Sequence, residues 1–184
     1  MNNLPKYSDA QREQRRERQA ALKTVYRVQP AEAFKVYRVT AEIDVPAQIV
    51  RMETGHGPTV EAGLHPLAGG EPGTTCAAEM LLEALAGCVG ITFSAVAGAM
   101  RLPLQNVSLT VEGDVDFRGT LGIDRTVPVG LLAIRMVFSL PSASMLDDAQ
   151  QTRLKETTDR YCVVRQSLNP AIPVELRLSF ENAE

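Results

Sequence analysis

The run EMLLEALAGCVGITFSAVAGAM, residues 79–100, is the most apolar segment of the chain, and it constrains the fold more than any other stretch. About 20 apolar residues suffice to cross the hydrocarbon core of a bilayer, so a membrane span is the first reading to test. Glu83 interrupts the run, Ala, Gly, Ser and Thr fill much of it, no Trp or Tyr lies within it, and only Arg101 marks an end. These features argue against a span. The expectation is a long helix buried on nearly all sides, in a core or a subunit interface, because Leu81, Leu82, Leu85, Val89, Ile91, Phe93 and Val96 leave little polar face. Thr74 and Thr75 are placed to cap its start, and Leu102-Pro103 closes it, since proline disfavours a helical predecessor. Gly87 and Gly90 flank Cys88, and their cost to the helix predicts that another helix or a ligand packs very close there.

A chain of 184 residues is long enough for one domain with a substantial core, with or without an arm. Its hydrophobic fraction of 45%, charged fraction of 22% and net charge of -3 are those of an ordinary soluble protein without the basicity of a nucleic-acid binder. The N-terminal MNNLPKYSDAQREQRRERQ lacks the apolar stretch of a secretory signal, and Glu13 and Glu17 do not suit a transit peptide, so a cytoplasmic location is expected. Cys76, Cys88 and Cys162 are too few and too far apart for a disulfide framework, and no two form a CxxC pair. Free thiols in a reducing compartment follow.

Residues 9–23 read as an exposed helix, its Arg12, Arg15, Arg16, Arg18 and Lys23 partly offset by Glu13 and Glu17, more suited to solvent or a docking partner than to RNA. Apolar alternation predicts strands over 34–44, 48–54, 107–117, 131–140 and the final VELRLSF, with one short strand at 59–62 inside a Gly- and Pro-rich loop. A helix is expected over 146–168, where Leu154, Thr158, Tyr161, Arg165 and Leu168 recur at helical spacing and set Cys162 beside the buried stripe. The order of elements predicts an α+β domain over 34–184, with helices against a mostly antiparallel sheet, preceded by a charged helical arm over 1–33. Both main helices carry a cysteine in apolar surroundings. Cysteine is among the most buried residue types, so each thiol taken alone is first a core residue.

His56 and His65 share the glycine-rich loop, and with the cysteines they offer ligand atoms but no short metal-binding spacing, so no metal is expected. No P-loop, dinucleotide fingerprint or GxSxG elbow occurs, and no cofactor is expected either.

EMLLEALAGC, followed 74 positions after its cysteine by the cysteine of DRYCVVRQSL, resembles the osmotically inducible protein C and organic hydroperoxide resistance (OsmC/Ohr) family. The resemblance covers about residues 34–180 and leaves the charged arm outside. It rests chiefly on Glu79, Leu81, Leu82, Ala86, Gly87 and Cys88 together. It implies an OsmC-like fold assembled as an intertwined homodimer, and a thiol peroxidase that reduces organic hydroperoxides. Cys88 would be the peroxidatic residue, Cys162 the resolving one and Glu79 the accompanying acid, with a lipoyl-type protein or small dithiol as reductant and neither nucleic acid nor membrane as partner. Position 78 is alanine where the hydroperoxide-resistance branch keeps its glutamate, and Val163 stands where that family has proline after the second cysteine. The chain is therefore nearer the PMELLLAALAGC-type branch.

In one continuous helix Glu79 lies about 13 Å along the axis from Cys88 and on the opposite side. It could serve a partner subunit's site, orient an arginine, or act as a helix N-terminal acid. Arg27, Arg51 and Arg165 are the positional candidates for stabilising a thiolate, each first a surface or strand-edge charge. Cys76, near the helix start, reads first as a bystander and second as a further redox partner, its pKa lowered by the helix N-terminus. The alternative from another class is a non-catalytic module that uses the same fold to bind a small hydrophobic ligand, with both cysteines as core. Placement of the two thiols separates the readings.

Overall fold

The computed structural model describes residues 9–53, 57–141, 144 and 146–180; Thr54, at the end of the expected second strand, and His56 fall outside them. The chain divides into two units, Met1–Thr40 and Ala41–Glu184.

In the first unit a basic helix α1, Asp9–Val28, runs five residues beyond its expected end, and a single 3-10 turn, Pro30–Ala33, follows it. Pro30 cannot continue an α-helix at its own N–H, which sets the stop. Along α1 Arg16 pairs with Glu13 at 3.4 Å, an exposed one-turn pair. Phe34, Val36, Tyr37 and Val39 lie in the stretch expected as a strand, yet they are exposed and only Thr40–Asp44 (β1) becomes strand. Alternation supplies the side chains of a strand but not a neighbour for its backbone groups.

The second unit holds two sheets. The first is ordered β1-β2-β3-β4, with β2 at Ile49–Glu53, β3 at Val60–Gly63 and β4 at Thr75–Cys76; β2 and β3 are antiparallel, β3 and β4 parallel. The second sheet is ordered β5-β6-β7, from Ser108–Asp114, Ala133–Leu140 and Val174–Phe180, with an antiparallel β5–β6 pair and a parallel β6–β7 pair. The parallel step needs a crossover, supplied by α4, Asp148–Tyr161, and α5, Val163–Gln166. A one-turn helix α3, Phe117–Thr120, lies in the β5–β6 connection that the sequence presents only as loop. The architecture is α+β, as the order of elements implied.

The long apolar run forms α2, Ala77–Ala99. Its N-cap is Cys76 rather than Thr74 or Thr75, because Thr75 and Cys76 are held as strand β4 beside β3. Leu85, Val89, Phe93, Val96 and Ala97 bury one face against Ile134, Met136, Phe138 and Leu140 of β6 and Leu154 of α4. The Phe93 and Phe138 rings stack with centroids 4.0 Å apart. Each such fully buried aliphatic or aromatic side chain contributes roughly 1.5–3 kcal/mol over leaving it in water.

Burial on nearly all sides is not what the single chain provides. Ala84, Gly87, Ile91, Ser94 and Ala95 lie on an open face, and Ile91 is 74% exposed. Nor is Gly87 or Gly90 closely approached: a Cβ on Gly87 would meet open space, and one on Gly90 would touch Leu109 only at an ordinary 3.8 Å. Among the described residues α2 alone is long and apolar enough to cross a membrane. Its packed face is committed to the domain's own sheet and to α4.

Candidate functional site

Cys88 sits midway along α2, half-buried at the edge of the core. Cys162 is fully buried and occupies the joint at which α4 ends and α5 begins. The single helix expected over 146–168 is thus two. The spacing of Leu154, Thr158 and Tyr161 holds as far as Cys162, whose backbone turns extended (ψ 108°) before the helical sense resumes. Tyr161, Val163 and Val164 around the break all have below-average helix propensity, and no periodicity pattern registers one extended residue.

Local contacts hold this joint. A capping box starts α4, with the Asp147 carboxylate accepting from the Gln150 N–H at 2.7 Å and the Gln150 side chain accepting from the Asp147 N–H at 3.1 Å. At the other end the Arg165 Nε donates to the Asp159 carboxylate at 2.9 Å, and the Gln166 side-chain amide donates to the Asp159 carbonyl at 2.9 Å. Arg165 and Gln166 in α5 are thereby tied back to the last turn of α4. The clamp aims the first turn of α5, with its unbonded N–H groups, at the middle of α2.

Those N–H groups meet the Cys88 sulfur. Burial raises the Cys88 thiol's pKa, but the backbone N–H of Val164, the Cys162 thiol, the backbone N–H of Val163 and the Thr92 hydroxyl together outweigh it, and the net shift is downward. Thr92 also donates to the Cys88 carbonyl at 2.9 Å, and with one proton it serves the carbonyl or the sulfur at any moment. Cys162 moves the opposite way, to about 11, first because it is buried and further because its proton is shared with Cys88 and a charge there repels a second. The first proton to leave the pair therefore comes from Cys88. The two thiols are near enough for each to shift the other's pKa, and both are free.

Two of the candidate cations have partners of their own: Arg165 is bound to Asp159, and Arg51 lies on β2 with its guanidinium on Glu61 at 2.6 Å. The groups that lower the Cys88 pKa include no guanidinium. Sequence reasoning sought a cation and missed the backbone donors. The available signal was Val163 itself: a proline there has no N–H to offer.

Glu79 stands in the first turn of α2, where its Oε2 accepts from the Cys76 N–H at 3.0 Å. That contact is the one a helix N-terminal acid makes. Cys76 itself is the residue before the helix, half-exposed. His65 accepts from the Leu67 N–H at 3.1 Å and stacks on Phe117 with centroids 4.8 Å apart. No group of three His, Cys, Asp or Glu side chains among the described residues is arranged to hold a metal ion.

Known proteins share this fold. The family model described as OsmC-like protein matches residues 70–177, more than half of the chain and a span that includes both thiols. Among solved structures, an OsmC-like protein from Mycoplasma pneumoniae superposes with a TM-score of 0.63 at 15% identity, covering 80% of this chain and 99% of that one. An organic hydroperoxide resistance protein OsmC from Legionella pneumophila gives 0.60 at 18% identity, covering 79% and 99%. The organic hydroperoxide resistance protein OhrB of Bacillus subtilis gives 0.53 at 17% identity, covering 79% and 98%. At these identities the likeness is one of fold. No curated protein sequence matches the chain.

Proposed function

From a chain that belongs to the OsmC-like protein family and sets a low-pKa thiol against a high-pKa one, we infer a two-cysteine peroxidase that reduces organic hydroperoxides in the cytoplasm. The observation that carries this reading is the proximity of Cys88 to Cys162, with the ionisation order set by the α5 backbone. Organic hydroperoxide resistance is also what the Legionella and Bacillus neighbours are named for.

In the first step the Cys88 thiolate attacks the distal oxygen of the hydroperoxide. The O–O bond breaks, a sulfenic acid forms on Cys88 and the alkoxide leaves as the alcohol after taking a proton. In the second step the Cys162 sulfur attacks the Cys88 sulfur, the S–O bond breaks, and hydroxide departs with the Cys162 proton as water. A dithiol reductant, lipoyl-linked or small, then exchanges with the disulfide and restores both thiols. In this scheme Glu79 holds the start of α2 rather than the reacting atoms.

The assembly is read as a homodimer. The open α2 face with Gly87 and Ile91, together with the exposed Ile43 on β1 and Val45 in the turn after it, offers apolar surface that a second copy would cover.

The deciding experiment treats reduced protein with cumene hydroperoxide and maps sulfenic acid and disulfide by mass spectrometry, with Cys88→Ser as control. Peroxide consumption and a Cys88–Cys162 disulfide in the parent, both lost in the variant, are expected. Consumption that survives Cys88→Ser would sink the mechanism.

A further inference from the structure

Thr158 is fully buried on α4, and its hydroxyl has no hydrogen-bond partner, the one such side-chain atom among the described residues. A buried hydroxyl without a partner costs stability that an apolar side chain of the same shape would not. A threonine inside a helix ordinarily turns its hydroxyl back to the carbonyl one turn earlier, and this one does not. Its position is informative. The Cys162 N–H donates to the Thr158 carbonyl at 3.2 Å, so Cys162 still continues the α4 spiral, and the extended backbone starts only beyond its Cα. The two side chains therefore stack one turn apart on the same buried face, with Cβ atoms about 5–6 Å from each other. A rotation about χ1 brings the threonine oxygen toward the Cys162 sulfur.

We propose that Thr158 is a positioning residue for the second thiol: its hydroxyl is held in reserve to donate a hydrogen bond to the Cys162 sulfur as negative charge gathers there. This rests on the peroxidase reading above and deepens its second step. As Cys162 attacks the Cys88 sulfenic acid its S–H bond breaks, the S–S bond forms and water leaves. Charge on the Cys162 sulfur in that step has no water to solvate it, because the residue is fully buried. In the reduced protein the side chain that acts on Cys162 is Cys88, which opposes its ionisation; once Cys88 is a sulfenic acid that charge is gone, and the α5 backbone N–H groups are the donors that remain on Cys162. Thr158 supplies a neutral donor from the opposite end of the same joint. It is neither consumed nor deprotonated.

The test compares Thr158→Val, which keeps the shape and removes the hydroxyl, with Thr158→Ser, which keeps the hydroxyl. Both are followed by titration of 13Cβ-labelled cysteines in the reduced protein and by the rate of disulfide formation after one equivalent of cumene hydroperoxide. Thr158→Val is expected to melt no lower than the parent, to raise the Cys162 titration midpoint, and to slow disulfide closure about tenfold while dimedone-reactive Cys88 accumulates. Thr158→Ser should stay within about twofold of the parent in both measurements. The rate at which Cys88 first consumes peroxide should not move in either variant. An unchanged midpoint and closure rate in Thr158→Val, or equal loss in both variants, would overturn the proposal. If the parent forms no sulfenic acid at all, the peroxidase reading falls instead, and the titration alone decides Thr158.

Discussion

Cys88 and Cys162 are the same side chain in the same core, and the fold drives their pKa values apart. Cys88 lies in an unbroken helix, its own carbonyls and N–H groups committed to the α2 ladder, so its environment is whatever other elements bring to it. What arrives is the first turn of α5, with donors and no acceptors, and the thiol's pKa falls. Cys162 lies at the joint that makes those donors available and is itself fully buried, so its pKa rises to about 11. Among the described residues, none of the causes that lower the Cys88 pKa is a charged side chain. The lesson is that a helix break can do for a thiol what an arginine does elsewhere, by leaving N–H groups unbonded and aiming them.

The largest effect expected on this asymmetry is from Cys88→Ser, which replaces the ionising atom by a hydroxyl that stays protonated. Stopped-flow peroxide consumption should fall by at least about a thousandfold. Cys162→Ser should leave the first turnover intact and stop the cycle at a sulfenic acid, read as one equivalent of peroxide consumed and no disulfide.

Val163→Pro probes the backbone donors directly. Position 163 opens α5 and follows a residue already extended, so proline fits both constraints and removes one N–H. The pKa of Cys88 should rise, and its alkylation rate by iodoacetamide near neutral pH should fall by about three- to tenfold, with Val163→Ala unchanged. An unaltered rate in the proline variant would show that Val164 and Thr92 suffice. Loosening the clamp with Asp159→Ala should raise the Cys88 pKa by a smaller amount, through misalignment of the same donors.

The smallest effect concerns stability at high pH. Because the folded pKa of Cys162 lies above its reference value of 9.0, the burial of its neutral thiol contributes stability that is fully present below that value and lost as pH climbs through about 11. Urea unfolding of the reduced protein at about pH 8 and about pH 10.5 should show this loss, and it should shrink in Cys162→Ala.

Much of the site was legible beforehand in one dimension. Both cysteines, their apolar settings and their order follow from residues that repeat at helical spacing, and the strands β5, β6 and β7 follow from alternation that ends in turn residues. Glu79 near the start of a helix was legible as a possible cap. The break at Cys162 was not, because a single extended residue leaves the periodicity on either side nearly in phase. Which face of α2 the single chain leaves open was not legible either. Hydropathy records that Ile91 prefers an apolar neighbour, and cannot say whether that neighbour belongs to the same chain.

The sequence by itself determined the element types, the α+β class and the pair of thiols, since these depend on side-chain chemistry and local period. Only the tertiary structure decided which thiol ionises first. That choice depends on the direction in which backbone N–H groups of one element point at a sulfur on another, and backbone groups are identical in every residue but proline.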